Sequence, residues 1–347
     1  MPREGVDRSG RIIVNLRRLL GLGRSREFDL SKAFNDLGIR LLRDENPEKN
    51  CFLSPLSIGL ALSMLPAGAR GRTRRELENL LGVPNGACEL GPLVEERIAR
   101  LSAPRESKGR AVKFALHMAN ALFVRRGYRL REDYVERLRR HWDSECRPVD
   151  FEKAEEAAAR INDWVAEQTN DLIKELVSSD DLDVETRLVL VNAIYFQGEW
   201  LFPFDDFLTE SEPFFGSVHR DRAIVKAAIM KKTHEYPYYT DEHLDALELP
   251  FDSMSMLVLA PKRGSLAKLE EWVSTDEIWK TADMMRERRL ELRIPRFSME
   301  ASFSMGRRLQ DYGLRLAFSE KADFSGITDD PAGLMISKVL HRAHRTE

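Results

Sequence analysis

From Leu188 to Phe196 the chain carries no charge, and apolar side chains fill both parities. A strand with one wet face alternates apolar and polar residues. This run predicts a strand covered on both faces, in the middle of a large sheet. Gln197 and Gly198 break it, and Trp200, Phe202, Pro203 and Phe204 follow as an aromatic bend. One polar residue, Asn192, stands inside the dry run. A buried amide left without partners costs about 1–3 kcal/mol, so the fold must bring polar groups from elsewhere to meet it.

Other segments carry the helical period. Residues 28–42 place Leu30, Phe34, Leu37, Ile39 and Leu41 along a helix that Asp44-Glu45-Asn46-Pro47 ends. Residues 51–53 read as a short apolar strand. Ser54 before Pro55 is a helix start, Ser as N-cap and Pro in the first turn. The helix that follows, 55–65, is apolar nearly all round and belongs inside the protein, with Pro66 and Gly68 marking its end. Thr73 and Glu76 form a predicted capping box for a helix closed by Gly82. Residues 94–101 and 131–142 predict further helices, and 113–124 a second long strand, alternating and then apolar. Residues 148–151 are extended. Residues 154–177 predict the clearest amphipathic helix, with Ile161, Trp164, Val165, Leu172, Ile173 and Leu176 on one face.

Beyond Phe204 the texture changes to short strands at 224–230, 236–239, 244–249 and 254–259, separated by turn residues as in a meander. Helices are predicted at 266–273, 275–285 and 305–312, a strand at 290–297, a turn at 324–327 and a last strand beginning at Leu334.

Composition narrows the function. At 347 residues and 43% hydrophobic content the chain can bury a large core, and no polar linker divides it. A net charge of −3 gives no general attraction to nucleic acid. Cys51, Cys88 and Cys146 are an odd number without metal-ligand spacing; Cys51 reads as a buried free thiol, and no disulfide framework is expected. No apolar run reaches membrane-spanning length. The first 26 residues hold seven arginines against two acids, and Arg17-Arg18 interrupts their apolar positions. They read as a poorly ordered or weakly helical basic tail, with a presequence or an anionic-surface contact as the alternative. Arg97, Arg100 and Arg105 read as a solvated face, with binding of a polyanion such as a glycosaminoglycan as the weaker reading.

Enzyme signatures are missing: no Gly-x-Ser-x-Gly elbow, no His-Glu-x-x-His, no phosphate loop. His341 and His344 have no third ligand in sequence, His117 and His141 read as surface or cap histidines, and no acid stands at triad order beside the serines. No catalytic residue, cofactor or metal is expected.

Several stretches together resemble the serpin family, the serine protease inhibitor fold. They are Phe-Leu-Ser-Pro-Leu-Ser-Ile at 52–58, Gly-Ala-Arg-Gly-Arg-Thr at 68–73, Ala-Asn-Ala-Leu-Phe at 119–123 and Ile-Asn-Asp-Trp-Val at 161–165. The series continues with Arg-Leu-Val-Leu-Val-Asn-Ala-Ile-Tyr-Phe-Gln-Gly-Glu-Trp at 187–200, Ile-Pro-Arg-Phe at 294–297, Phe-Ser-Gly-Ile at 324–327 and Ile-Ser-Lys-Val-Leu-His-Arg-Ala at 336–343. They span residues 27–343 in the family's order, so that 1–26 stand as a tail and 27–347 as one serpin-like domain.

The resemblance implies an α+β fold of three β-sheets with about eight or nine helices, its central five-stranded sheet able to accept a sixth strand. It implies that Ser54, Ser57, Asn192 and His341 form the shutter, a polar cluster below the point where that sheet opens, against the plainer reading of a satisfied buried network with no switching role. Trp200 and Arg296 are similar to the breach, where a reactive loop first enters. In the family the strand beginning at Leu334 continues into an acidic hinge, a reactive loop and closing strands; here His344-Arg345-Thr346-Glu347 diverges from that pattern. The C-terminal strands and the reactive site are therefore expected to be missing from this chain, which is expected to be inactive as an inhibitor. The alternatives are a non-inhibitory binding protein on the same scaffold, or a truncated product without function. The implied partner is a target serine or cysteine protease, with self-association through unpaired strand edges as a second contact. The family implies an extracellular location; the N-terminus as written, without a secretory leader, implies the cytoplasm.

Overall fold

The computed structural model describes residues 12–13, 29–45, 50–84, 89–102, 106–107, 110–111, 114–215, 224–251, 254–262 and 266–346. The first half of the chain runs β1 (Ile12–Ile13), α1 (Leu30–Arg43), α2 (Pro55–Gly68), α3 (Gly71–Leu80), α4 (Leu90–Ser102), β2 (Glu106–Ser107), β3 (Arg110–Ala111), β4 (Phe114–Arg125), α5 (Glu132–Trp142), β5 (Glu145–Val149) and α6 (Ala154–Gln168). The second half runs β6 (Leu188–Gly198), β7 (Glu210–Phe215), β8 (Ile224–Thr240), β9 (Leu244–Pro250), β10 (Ser255–Pro261), α7 (Leu266–Trp272), α8 (Thr275–Met284), β11 (Arg286–Pro295), β12 (Met299–Ser304), α9 (Gly306–Asp311) and β13 (Ile336–Thr346).

The apolar run at 188–196 is β6, and every residue from Leu188 to Phe196 is buried. It is the middle strand of a five-stranded sheet ordered β12-β13-β6-β4-β5. Leu188 and Leu190 join the core around α1 and α2 on one face. Val189, Val191 and Ala193 join Ile161, Trp164 and Val165 of α6 on the other. The apolar helix α2 is buried almost end to end, as its lack of a polar face requires.

Three sheets were expected, and the described residues form two large ones plus the two-stranded ladder β2-β3. The reason is β8. The segments 224–230 and 236–239, expected as separate strands, are one strand of 17 residues. Its first half pairs with β7 and its second half with β9, while β11 runs alongside both, so two expected sheets become one ladder of six strands.

Other expectations need correction. The helix predicted to Val177 stops at Gln168, because Asn170 and Asp171 take left-handed backbone angles (φ 52° and 60°). Asn162 Oδ1 accepts from the Leu176 and Val177 amides at 2.8 and 3.1 Å, so Ile173 and Leu176 are buried from a loop. The capping box at Thr73 and Glu76 does not form: α3 starts at Gly71, Thr73 Oγ1 accepts from the Asp323 amide, and Glu76 accepts from the Arg315 and Leu316 amides. Residues 51–53 are not a strand in the structure, and Cys51 is half-buried. α2 runs through Pro66 to Gly68. Ile12 and Ile13, placed in a disordered or helical tail, are extended and paired with β10; the rest of that tail lies outside the described residues. β7 and β12 were missed.

Candidate functional site

Where α2 meets the five-stranded sheet, three chain segments converge on Asn192 of β6. Ser54 sits before Pro55 as the N-cap of α2, its hydroxyl accepting from the Ser57 amide at 3.2 Å. That cap turns Ser57, fully buried, toward β6. The Asn192 side-chain amide donates to the Ser57 carbonyl at 3.1 Å and to the Ser57 hydroxyl. It donates also to Asn120 Oδ1 of β4, directly opposite in the antiparallel register.

The Asn192 carbonyl oxygen faces β13, where His341 is its register partner. His341 Nδ1 hydrogen-bonds Asn192 Oδ1, and the Ser54 amide donates to His341 Nε2 at 3.4 Å. One ring nitrogen therefore donates and the other accepts, the pattern of a neutral imidazole. His341 is fully buried, and burial pushes its pKa down from 6.5 to about 3. Geometry and burial agree on a neutral ring. Phe303 of β12, its register partner on the other side, lies nearly parallel to it.

All four residues expected in the cluster are thus together, and Asn120 is a fifth that the sequence reading passed over by treating 119–124 as apolar. A signal was present: each of two long apolar strands carries a lone asparagine, and antiparallel pairing sets them opposite each other.

A family model for Serpin (serine protease inhibitor) matches residues 32–344 of the chain. The chain belongs to the serpin family. An uncharacterized serpin-like protein of Thermococcus kodakarensis is 37% identical over 297 residues, covering 85% of this chain and 67% of that protein. The leukocyte elastase inhibitor of Sus scrofa is 32% identical, covering 88% and 81%. Among solved structures, human thyroxine-binding globulin complexed with thyroxine superposes with a TM-score of 0.83 at 29% identity, covering 91% of this chain and 85% of that one. The family is one of protease inhibitors, not of enzymes.

In this serpin the two residues expected at the breach have separate anchors. Trp200 stacks on Phe251 (centroids 4.4 Å apart) and meets the edge of Phe204. Arg296 is exposed, and its guanidinium pairs with Asp206 rather than with Trp200. The remaining singled-out side chains are placed as follows. Arg100 pairs with Glu96, Arg97 is half-buried, and Arg105 lies outside the described residues. His141 bonds Glu95 at 2.7 Å, and His117 meets the Asn170 amide. Cys146 is buried, which pushes its thiol pKa up to about 12. Among the described residues no three His, Cys, Asp or Glu side chains gather as a metal site, and no helix is long and apolar enough to cross a membrane.

Proposed function

We propose that this serpin provides the receiving sheet of a protease inhibitor directed at serine or cysteine proteases, and that the sheet opens between β6 and β13. The observation that carries the reading is the parallel pairing of those two strands, continuous from Lys338↔Val189 to Thr346↔Gln197. A strand entering between parallel neighbours runs antiparallel to both. It exchanges one slanted parallel ladder for two antiparallel ones, the more stable kind per residue. Both strands end near Gln197 and Trp200, so chain following Thr346 would start at that end of the seam and could turn back into it. Trp200 and Arg296 are proposed as the place of entry. The bond from His341 to Asn192 crosses the seam and must break for a strand to pass, so the cluster acts as a latch.

The inserting strand and the bait residue would come from chain following β13. Residues 1–347 alone are accordingly proposed to trap no protease, while still accepting a strand in trans. The test mixes residues 1–347 with a peptide bearing the alternating small and β-branched residues of a serpin reactive loop. A raised melting temperature, with new amide protection confined to β6 and β13, is expected; no binding, or protection elsewhere, sinks the insertion reading. A panel of serine and cysteine proteases without peptide is expected to give no SDS-stable adduct, and one such adduct overturns the proposed inactivity.

A second reading, a binding protein on the same scaffold, is supported by one observation. Ser31 Oγ of α1 and Thr275 Oγ1 and Trp279 Nε1 of α8 are buried without hydrogen-bond partners on adjacent helices, which Lys32 and Asp276 join at 3.0 Å. Orphaned buried polar atoms call for a bound water or ligand. The neighbour complexed with thyroxine makes a small organic ligand the natural probe.

A further inference from the structure

Four helices meet at the C-terminal end of α2. α3 and α5 pack against α2, and α4 packs against both α2 and α5. Between them lies a cavity of about 340 Å³, the size of a pocket for one small molecule. Its apolar walls include Pro66 of α2, Leu90 of α4 and Trp142 of α5. Its polar walls carry three guanidinium groups, Arg70, Arg74 and Arg137, against two carboxylates, Glu78 and Glu89, and His141 stands beside them. Arg97 and Arg100, the cations of α4 weighed above for contact with a polyanion, are not among its walls.

These charges are unequally matched. Arg74 Nε donates to Glu78 Oε1 at 2.7 Å, one turn further along α3, and Glu78 is buried, so the pair is neutral as a unit. Arg137 is held only by Asp133 of its own helix. Its Nε donates to the Asp133 carbonyl at 3.1 Å, and Nη2 reaches the exposed carboxylate at 3.5 Å. A surface pair of that length contributes little. Arg70 pairs with no carboxylate among the described residues. Its Nη1 donates to the Ala67 and Ala69 carbonyls at 3.2 and 2.9 Å, at the end of α2. Those two bonds fix the guanidinium and leave Nε and Nη2 without a protein acceptor among the described residues. A half-buried cation that the backbone holds in place without a counter-charge is arranged for an anion from outside the chain. Two glycines let the walls approach. A Cβ on Gly326 would lie 2.5 Å from Arg70 Nη1, and one on Gly91 would lie 2.9 Å from the His141 ring. That ring is oriented by Glu95, which accepts from Nδ1 at 2.7 Å.

We propose that this cavity is a binding site for one small organic anion, a carboxylate or a phosphate ester with an apolar body. Arg70 and Arg137 take the anionic head, because guanidinium forks match the paired oxygens of carboxylates and phosphates. Trp142, Pro66 and Leu90 take the apolar body. The site shares no residue with the seam between β6 and β13, so it stands or falls independently of strand insertion.

Titration calorimetry of the full chain with phenyl phosphate, benzoate, benzyl alcohol and benzylamine tests it. At least one of the two anions is expected to bind one to one, and the neutral and cationic analogues are expected not to. Binding of phenyl phosphate alone assigns a phosphate head, and binding of benzoate alone a carboxylate head. Arg137→Met is expected to weaken the bound anion by about tenfold. Arg139→Met removes the same charge from an exposed position on the same helix and is expected to leave the affinity unchanged. Amide hydrogen exchange with the bound anion is expected to show added protection at 66–78 and 137–142. No binding of either anion, equal binding of benzyl alcohol, equal weakening in the two arginine variants, or protection confined to other segments would each overturn the proposal.

Discussion

Asn192 uses both ends of its amide on three other segments of the chain. Its nitrogen serves Ser57 of α2 and Asn120 of β4, and its oxygen serves His341 of β13. Replacement by alanine leaves the His341 donor, the Asn120 oxygen and the Ser57 carbonyl buried without this partner. Each such orphan carries a penalty on the order of 1–3 kcal/mol, partly relieved by rearrangement. Asn192→Ala is therefore expected to lower stability by about 1–3 kcal/mol. His341→Ala should destabilise too, but the double variant should lose less than the sum, by about 0.5 kcal/mol or more, because each single change already breaks their shared bond. Urea melts of the three variants decide this, and simple additivity would argue that the pair is not coupled. At this scale the sequence announced Asn192 by its isolation in an apolar run, but not Asn120, whose short neighbours gave it less contrast.

Among the elements, α2 shows how a local signal and a distant contact combine. Ser54 and Pro55 specify where the helix starts, and the structure keeps that start. Gly59, one turn later, has no such local reason. Helix α1 crosses there, and a Cβ on Gly59 would fall within the ring of Phe34, itself 2% exposed. Overpacking a buried contact costs about 1–3 kcal/mol, against a helix-propensity gain of about 1 kcal/mol for replacing glycine. Gly59→Ala is expected to be net destabilising by about 1 kcal/mol, read as a lowered urea midpoint; a raised midpoint would mean that α1 can shift to make room. The overlong helix predicted across 154–177 shows the converse. Apolar spacing continued past Gln168, but two residues in the left-handed region and the Asn162 side chain hold the chain there as a loop.

For the whole molecule the cluster at Asn192 ties α2, β4, β6 and β13 together, so its protonation bears on global stability. Burial holds the His341 pKa at about 3, below the 6.5 of an exposed imidazole. Between those values the unfolded chain binds the proton and the folded chain does not. Stability is therefore complete above pH 6.5 and is lost as the pH falls from there toward 3, by up to about 1.4 kcal/mol per pH unit. Comparing urea midpoints at pH 7.5 and 5.5 for the native chain and His341→Gln isolates this contribution, since the variant lacks the titrating ring. The native chain is expected to lose about 1 kcal/mol more than the variant over that interval. Equal losses would place the histidine in a wetter site than the structure gives it.

What the sequence determined by itself was periodicity and punctuation. A run apolar at both parities is a doubly covered strand wherever it is placed, and serine before proline starts a helix, because these preferences act within a few residues. The ordered set of motifs was enough to identify the family for the same reason: each is a short local pattern. What the tertiary structure alone decided were contacts between residues far apart in the chain. His341 and Asn192 are 149 positions apart, and Asn192 and Asn120 are 72 apart. The union of two expected sheets into one, the loss of a predicted capping box to the loop at 315–323, and the pairing of Ile12 with Val258 are of the same kind. In each, a hydrogen-bonding group took a partner that no neighbouring residue could supply, and local preference gave way because leaving such a group buried and unpaired costs more than a propensity of a few tenths of a kcal/mol can repay.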